Sequence, residues 1–166
     1  RSVLGKHVSQ KGSLVDAERL RFDFSHSQAL SEDELEAVEI EVNSQILANS
    51  QVSKEEMPIQ LAKERGAVAL FGEKYGEQVR VVSMGGEFSV EFCGGCHVNR
   101  TGDIGFFKII SETGISAGVR RIEAVTGDGA REVIRQRDIV LKEISELVNS
   151  GVNDLVSKVR QINDSN

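Results

Sequence analysis

The residues able to do chemistry crowd into Cys93-Gly94-Gly95-Cys96-His97. This stretch holds the only two cysteines of the 166-residue chain and one of its three histidines. A thiolate and an imidazole four positions apart, Cys93 and His97, are borderline-soft ligands of the kind zinc takes. Two ligands do not complete a site, because a catalytic zinc takes about three protein ligands and keeps one position open. His7 and His26, or residues upstream of Arg1, are the candidates to complete it. The same letters admit other chemistry. Cys-x-x-Cys-His matches c-type haem attachment, which needs an oxidising export compartment and an axial partner. Cys-x-x-Cys is also a redox pair where it opens a helix after a βαβ strand, but here it follows a hairpin strand. In the plainest case Cys93 is a small buried hydrophobe and His97 a satisfied turn residue. Pattern alone leaves the metal site and the buried pair standing side by side.

The elements around this stretch must position it. Phe88, Val90 and Phe92 alternate with Glu87, Ser89 and Glu91, which predicts a strand ending at the thiol. Glu91, two residues before Cys93, then shares its side of the sheet and is a candidate base or ligand-orienting group, or simply a solvated carboxylate. Gly94-Gly95 stops the strand and permits a sharp turn. Val79–Met84, a Gly85-Gly86 turn and Glu87–Phe92 make a hairpin. Leu20–Phe24, Phe106–Ser111 and Val119–Val125 add strands, Ala67–Phe71 is a further apolar run, and Val52 begins a short strand-like piece. Ser31 followed by Glu34 is a capping-box signature opening a helix over about 32–49, with Leu35, Val38, Val42 and Ile46 as its apolar stripe and Leu47 a further candidate for it. Pro58 suits the first turn of a short helix ending near Gly66. Residues 1–8 read as a helix end closed by Gly5, and Gln10-Lys11-Gly12-Ser13 as a turn. Hairpins with separate helices predict an α+β fold, an antiparallel sheet packed by helices. At Thr126-Gly127-Asp128 the character changes. Asp128 can cap a long helix, and helical spacing continues beyond Gly151, so residues 1–127 read as the domain and 128–166 as a helical linker.

The length suits one domain with an appendage. A net charge of −6 argues against a blanket electrostatic grip on nucleic acid. No apolar run is long enough to span a membrane, and the N-terminus lacks a signal-peptide core. Two cysteines without a secretion signal make a reducing cytoplasm the default compartment. The missing initiator methionine suggests a piece of something longer.

Several blocks carry a resemblance: Gly5–Val15, Arg19–His26, Ala69–Gly76, Cys93–Thr101 and Gly118–Gly127. In this order they closely resemble the editing domain of alanyl-tRNA synthetases, the second additional domain shared with threonyl-tRNA synthetases and free-standing alanyl editing proteins. The resemblance covers most of residues 3–127. It implies a deacylase, part of an ATP-using alanine-tRNA ligase, that hydrolyses tRNA(Ala) mischarged with serine or glycine. Such a hydrolytic site answers a physical limit, since an alanine-activating site discriminates weakly against a side chain differing by one small group.

The resemblance also implies zinc, held by a His-x-x-x-His pair and a Cys-x-x-x-His pair. The second pair maps to Cys93 and His97, and the remaining two ligands are expected upstream of Arg1, so this fragment would carry half the site. Cys96 stands where the family usually has threonine. Gln10 lies in a block near the editing pocket, which makes Gln10 and Glu91 the candidate catalytic residues. Gly94 and Gly95 would let backbone N–H groups approach the ester or terminal ribose, and Arg120 would meet the tRNA acceptor end. Arg121 would then pair with an acid such as Glu123. Lys6, Lys11, Arg19 and Arg21 are further phosphate candidates, each better read alone as a solvated charge. The partners implied are the acceptor end of tRNA(Ala) and the other domains of the synthetase. The alternative from another class is a non-catalytic module that binds or positions tRNA.

Overall fold

Ser31 and Glu34 cap each other as their spacing predicts. The Ser31 hydroxyl accepts from the Glu34 N–H at 3.2 Å, and the Glu34 carboxylate accepts from the Ser31 N–H at 2.9 Å. The helix they open, α1 (Glu32–Leu47), turns Leu35, Val38, Val42 and Ile46 toward one apolar core. In the computed structural model, which describes residues 1–69 and 75–165, that core lies against four antiparallel strands: β1 (Gln10–Val15), β2 (Leu20–Ser25), β6 (Phe107–Ser116) and β7 (Val119–Thr126), in the order β1-β2-β7-β6. Phe24, Ile109, Ile122 and Ala124 supply the sheet's side of it. Asn43 ties helix to sheet. Its side-chain amide donates to the Phe107 carbonyl and accepts from the Phe107 N–H, both at 2.9 Å.

A second antiparallel sheet of three strands, β3 (Ser53–Pro58), β4 (Gln78–Met84) and β5 (Ser89–Phe92), has its own core of Met57, Ala62, Val79, Val81 and Phe92. The short helix α2 (Ile59–Glu64), entered through Pro58, contributes Ala62 to this core. The α+β class therefore stands, with the strands divided between two sheets. Thr101 straps the chain beyond β5 back to α1. Its hydroxyl donates to the Gln45 carbonyl at 2.7 Å and accepts from the Ser50 N–H at 2.9 Å.

Arg1–Gly127 forms one compact unit and Asp128–Asn166 another. The second contains most of α3 (Gly127–Leu147), then a 3-10 turn and α4 (Leu155–Asp164). Helix α3 begins at Gly127, so Asp128 sits within its first turn, where its carboxylate accepts from Arg131 Nε, rather than before it as a cap.

Residues 1–8 form turns, in which the Gly5 N–H reaches back four residues to the Arg1 carbonyl at 3.0 Å with Gly5 at a φ of 106°, as at a helix end closed by glycine. Several local expectations are corrected. Gln10–Ser13 belongs to β1 and is no turn. Pairing with β2 overrides the turn preference of Gly-Ser, and the irregularity between Gln10 and Gly12 is absorbed as a bulge. The β4–β5 connection is four residues long, Gly85 to Phe88, because Met84 pairs with Ser89. Gly85 and Gly86 both take positive φ, 63° and 68°, which only glycine adopts cheaply. Of the apolar run Ala67–Phe71, residues 70 and 71 lie outside the described residues, as does most of the Ala69–Gly76 block. Val68 runs parallel beside β5, giving its N–H to the Val90 carbonyl at 2.8 Å.

Candidate functional site

Cys93 follows β5 directly. The hairpin register that pairs Val81 with Phe92 puts Arg80 opposite Cys93, whose N–H donates to the Arg80 carbonyl at 3.1 Å. The chain then turns through Gly94 and Gly95 and brings His97 back, so that Nε2 lies 3.1 Å from Cys93 Sγ. Two cations hold the turn by its carbonyls. Arg80 Nη1 donates to the Gly95 carbonyl at 2.6 Å, and Lys54 Nζ donates to the His97 carbonyl at 2.9 Å. The His97 imidazole is held below its ordinary pKa, first by desolvation and then by the charges of Arg80 and Lys54. It is thus neutral at pH 7, the form that ligates a metal or takes a proton.

Two cavities meet at Cys93. The smaller, about 230 Å³, is lined by Gln10 and Ser13 of β1, by Glu91 of β5, and by Cys93 and His97. The larger, about 440 Å³, lies toward β4 and is lined by Tyr75, Gln78, Arg80, Phe92, Cys93, Gly94 and Gly95. Of the candidates read from the sequence, Gln10, Glu91, Cys93 and His97 thus share one cavity, while Gly94 and Gly95 face the other. Burial raises the Glu91 carboxyl above its usual range, a shift partly opposed by the charge of Arg1. Gln10 is steadied by its neighbour, its Nε2 donating to Ser13 Oγ at 3.3 Å.

Arg120 is placed elsewhere. It lines neither cavity, and its guanidinium is bidentate to Glu112 at 2.5 and 2.6 Å. Arg121 pairs with Asp23 at 2.7 and 2.8 Å, not with Glu123. Glu123 instead takes Arg19 at 2.9 Å, so Arg19 too is engaged in an ion pair. His7 and His26 do not approach Cys93 either. They stack on each other, with His7 Nε2 2.9 Å from His26 Nδ1. Cys96 is exposed and lines neither cavity.

Sequence reasoning missed Ser13, Lys54, Tyr75, Gln78 and Arg80. The hairpin held a usable signal for one of them, since counting pairs outward from Met84 and Ser89 places Arg80 across from Cys93. Nothing local marks Lys54.

The fit of this arrangement to zinc can be tested on the donors. Zinc–sulfur and zinc–nitrogen bonds of about 2.3 and 2.0 Å at a tetrahedral angle set the two donor atoms roughly 3.5 Å apart, so the observed 3.1 Å needs only a slight opening. Gly95 packs beside the pair, where even a Cβ would make only ordinary contact, 3.6 Å from Sγ and 3.9 Å from Nε2. The donors and space fit half a zinc site. Among the described residues no group of three or more His, Cys, Asp or Glu side chains could hold a metal.

Residues 79–123, which span most of β4, the Cys/His turn and most of β7, match the threonyl and alanyl tRNA synthetase second additional domain. The chain matches that domain over this stretch. Over all 166 residues it is 55% identical to an alanine–tRNA ligase of Pseudomonas syringae, covering 19% of that protein. It is 56% identical over 162 residues to that of Saccharophagus degradans, covering 18%. The chain therefore spans about one-fifth of the length of the curated relatives it matches. Within the second additional domain the match begins at the buried Val79 and takes in the whole cysteine–histidine turn, so both cavities border it.

Proposed function

We propose that residues 1–127 are an aminoacyl-tRNA editing domain that hydrolyses the ester of tRNA(Ala) mischarged with serine or glycine, and that 128–166 link it toward further parts of a synthetase. The observation that carries this reading is the convergence of Cys93, His97, Glu91 and Gln10, from two sheets, on one small cavity. An aminoacyl ester is already activated, so the site need only place a water and stabilise the oxyanion. Glu91, kept partly desolvated, takes the proton of the attacking water at its carboxylate. Gln10 presents an amide to the amino-acid end, and the backbone N–H groups at Gly94 and Gly95 face the developing oxyanion. Cys93 and His97 would hold zinc together with ligands from outside the described residues. When bound, that ion would polarise the ester carbonyl or acidify a water.

The acceptor end of tRNA(Ala) and the other synthetase domains are the partners in this reading, and the cytoplasm is its compartment. No helix among the described residues is long and apolar enough to cross a membrane. Arg120 reaches the acceptor end only where the nucleic acid displaces Glu112. The second reading is a non-catalytic module that binds or positions tRNA.

The deciding experiment is hydrolysis of serine-charged tRNA(Ala) by this chain and by the protein extended to the length of its relatives, each with and without zinc. Activity in the extended, zinc-loaded protein that is lost on Cys93→Ala supports the editing reading. Zinc binding without hydrolysis in any form moves the assignment to the positioning module.

A further inference from the structure

His97 sits on a loop, yet its Nε2 already stands 3.1 Å from Cys93 Sγ, close to the roughly 3.5 Å that two tetrahedral zinc ligands need. Three alternate carbonyls of that loop are tied to the three-stranded sheet. The Gly95 carbonyl accepts from Arg80 Nη1 of β4 at 2.6 Å, that of His97 from Lys54 Nζ of β3 at 2.9 Å, and that of Asn99 from the Val52 N–H, just before β3, at 2.8 Å. The middle tie falls on the candidate ligand itself. Lys54 also donates to Asn99 Oδ1 at 3.3 Å, so its ammonium bridges the loop instead of hanging from one acceptor. Strand register explains how a residue 43 positions away comes to be there. Lys54 pairs with Val82 on β4, and Val82 pairs with Glu91 on β5. Directly paired residues share a face of the sheet. Lys54 therefore lies in one row with Glu91, across the buried Val82, on the face that borders the smaller cavity.

We propose that Lys54 is a positioning residue for zinc: its ammonium clamps the backbone of His97 so that the imidazole meets Cys93 at near-ligating distance before any ion arrives. This rests on the zinc reading given under Proposed function and adds to it a residue outside the ligand set, one that touches neither ion nor substrate. The physical gain is preorganisation. A ligand on an untied loop gives up backbone freedom when the ion binds, and that loss is subtracted from affinity. Partners that orient a metal ligand are worth about 10–100-fold in metal affinity. Lys54 holds the main chain of His97 and not its ring, which places it at the lower end of that range.

The test uses the protein extended to the length of its relatives. Zinc affinity, read by competition with a chromophoric chelator, is expected to fall about tenfold in Lys54→Met. Lys54→Arg, which keeps a cation and its donors, is expected to recover most of that loss. Lys54 is exposed, so the metal-free variants should match the parent in circular dichroism and melting temperature. The loss should persist in about 1 M sodium perchlorate, where a Debye length of about 3 Å screens an exposed charge. Unchanged or tighter zinc binding in Lys54→Met overturns the proposal. So does a loss that salt abolishes, which would make the lysine a distant charge, or one matched by a lower metal-free melting temperature, which would make it a part of the sheet alone. If the parent and Lys54→Met bind zinc equally, the clamp falls and the zinc reading survives. If the parent takes up no zinc, both fall, and hydrolysis of serine-charged tRNA(Ala) decides the editing reading separately.

Discussion

Asp23 is the group whose removal tests most sharply how the sheet under Gln10 is held. It is buried in the middle of β2, directly opposite Arg121 on β7 and Gly12 on β1. A Cβ on Gly12 would lie in ordinary contact with the carboxylate, at 3.5 Å. Arg121 grips both oxygens, and Arg21 stands off at 4.0 Å. Asp23→Asn preserves the shape and removes the charge. Breaking a fully buried pair costs about 3–5 kcal/mol. Water reaches the guanidinium side here, so the discounted cost is about 2 kcal/mol, or roughly 4–8 °C in Tm for a chain of this size.

The pH dependence supplies an independent check. The hydrogen bonds from Arg121, aided by its charge, hold the Asp23 carboxyl below its usual range against the opposing effect of burial. A depressed pKa contributes stability above the unfolded value near 3.9 and loses it as pH falls through the folded value. Thermal unfolding followed by circular dichroism should therefore show the largest gap between parent and variant near neutrality, closing as pH drops below about 4. A gap under about 0.5 kcal/mol at neutral pH, or one that persists unchanged into acid, would refute the ion-pair account of this sheet.

Three further outcomes follow from the fold. Asn43→Ala leaves the N–H and carbonyl of Phe107 without their side-chain partners, which should lower unfolding free energy by about 2 kcal/mol in urea titrations. Gly105→Ala should cost more than Gly66→Ala when the two melting temperatures are compared. Their φ angles are similar, 73° and 76°, but a Cβ at Gly105 lands 2.9 Å from the Gly127 backbone while one at Gly66 meets nothing. Ser31→Ala should lose about 1 kcal/mol, and Glu34→Ala should lose part of the same amount, since the two residues satisfy each other's backbone.

Local chemistry in the sequence was enough for α1, because a capping box and an apolar stripe at helical spacing are properties of one contiguous segment. It was also enough for the strands around the cysteine–histidine turn, for the α+β class, and for Glu91 and Cys93 sharing a cavity, since alternate residues of a strand share a face. What the tertiary structure alone decided depends on partners far away in the chain. Gln10–Ser13 looks like a turn by itself and becomes a strand because β2 offers it a ladder. Arg120 and Arg121 read as a contact for the acceptor end and a partner of Glu123, and are claimed by Glu112 and Asp23, one a neighbouring strand away and the other nearly a hundred residues back. His7 and His26, candidates to join Cys93 by residue type, meet each other instead. Residue type specifies what a side chain can bind. Which of several eligible partners it meets is set by register and sheet order, and those emerge only when the long-range pairings close.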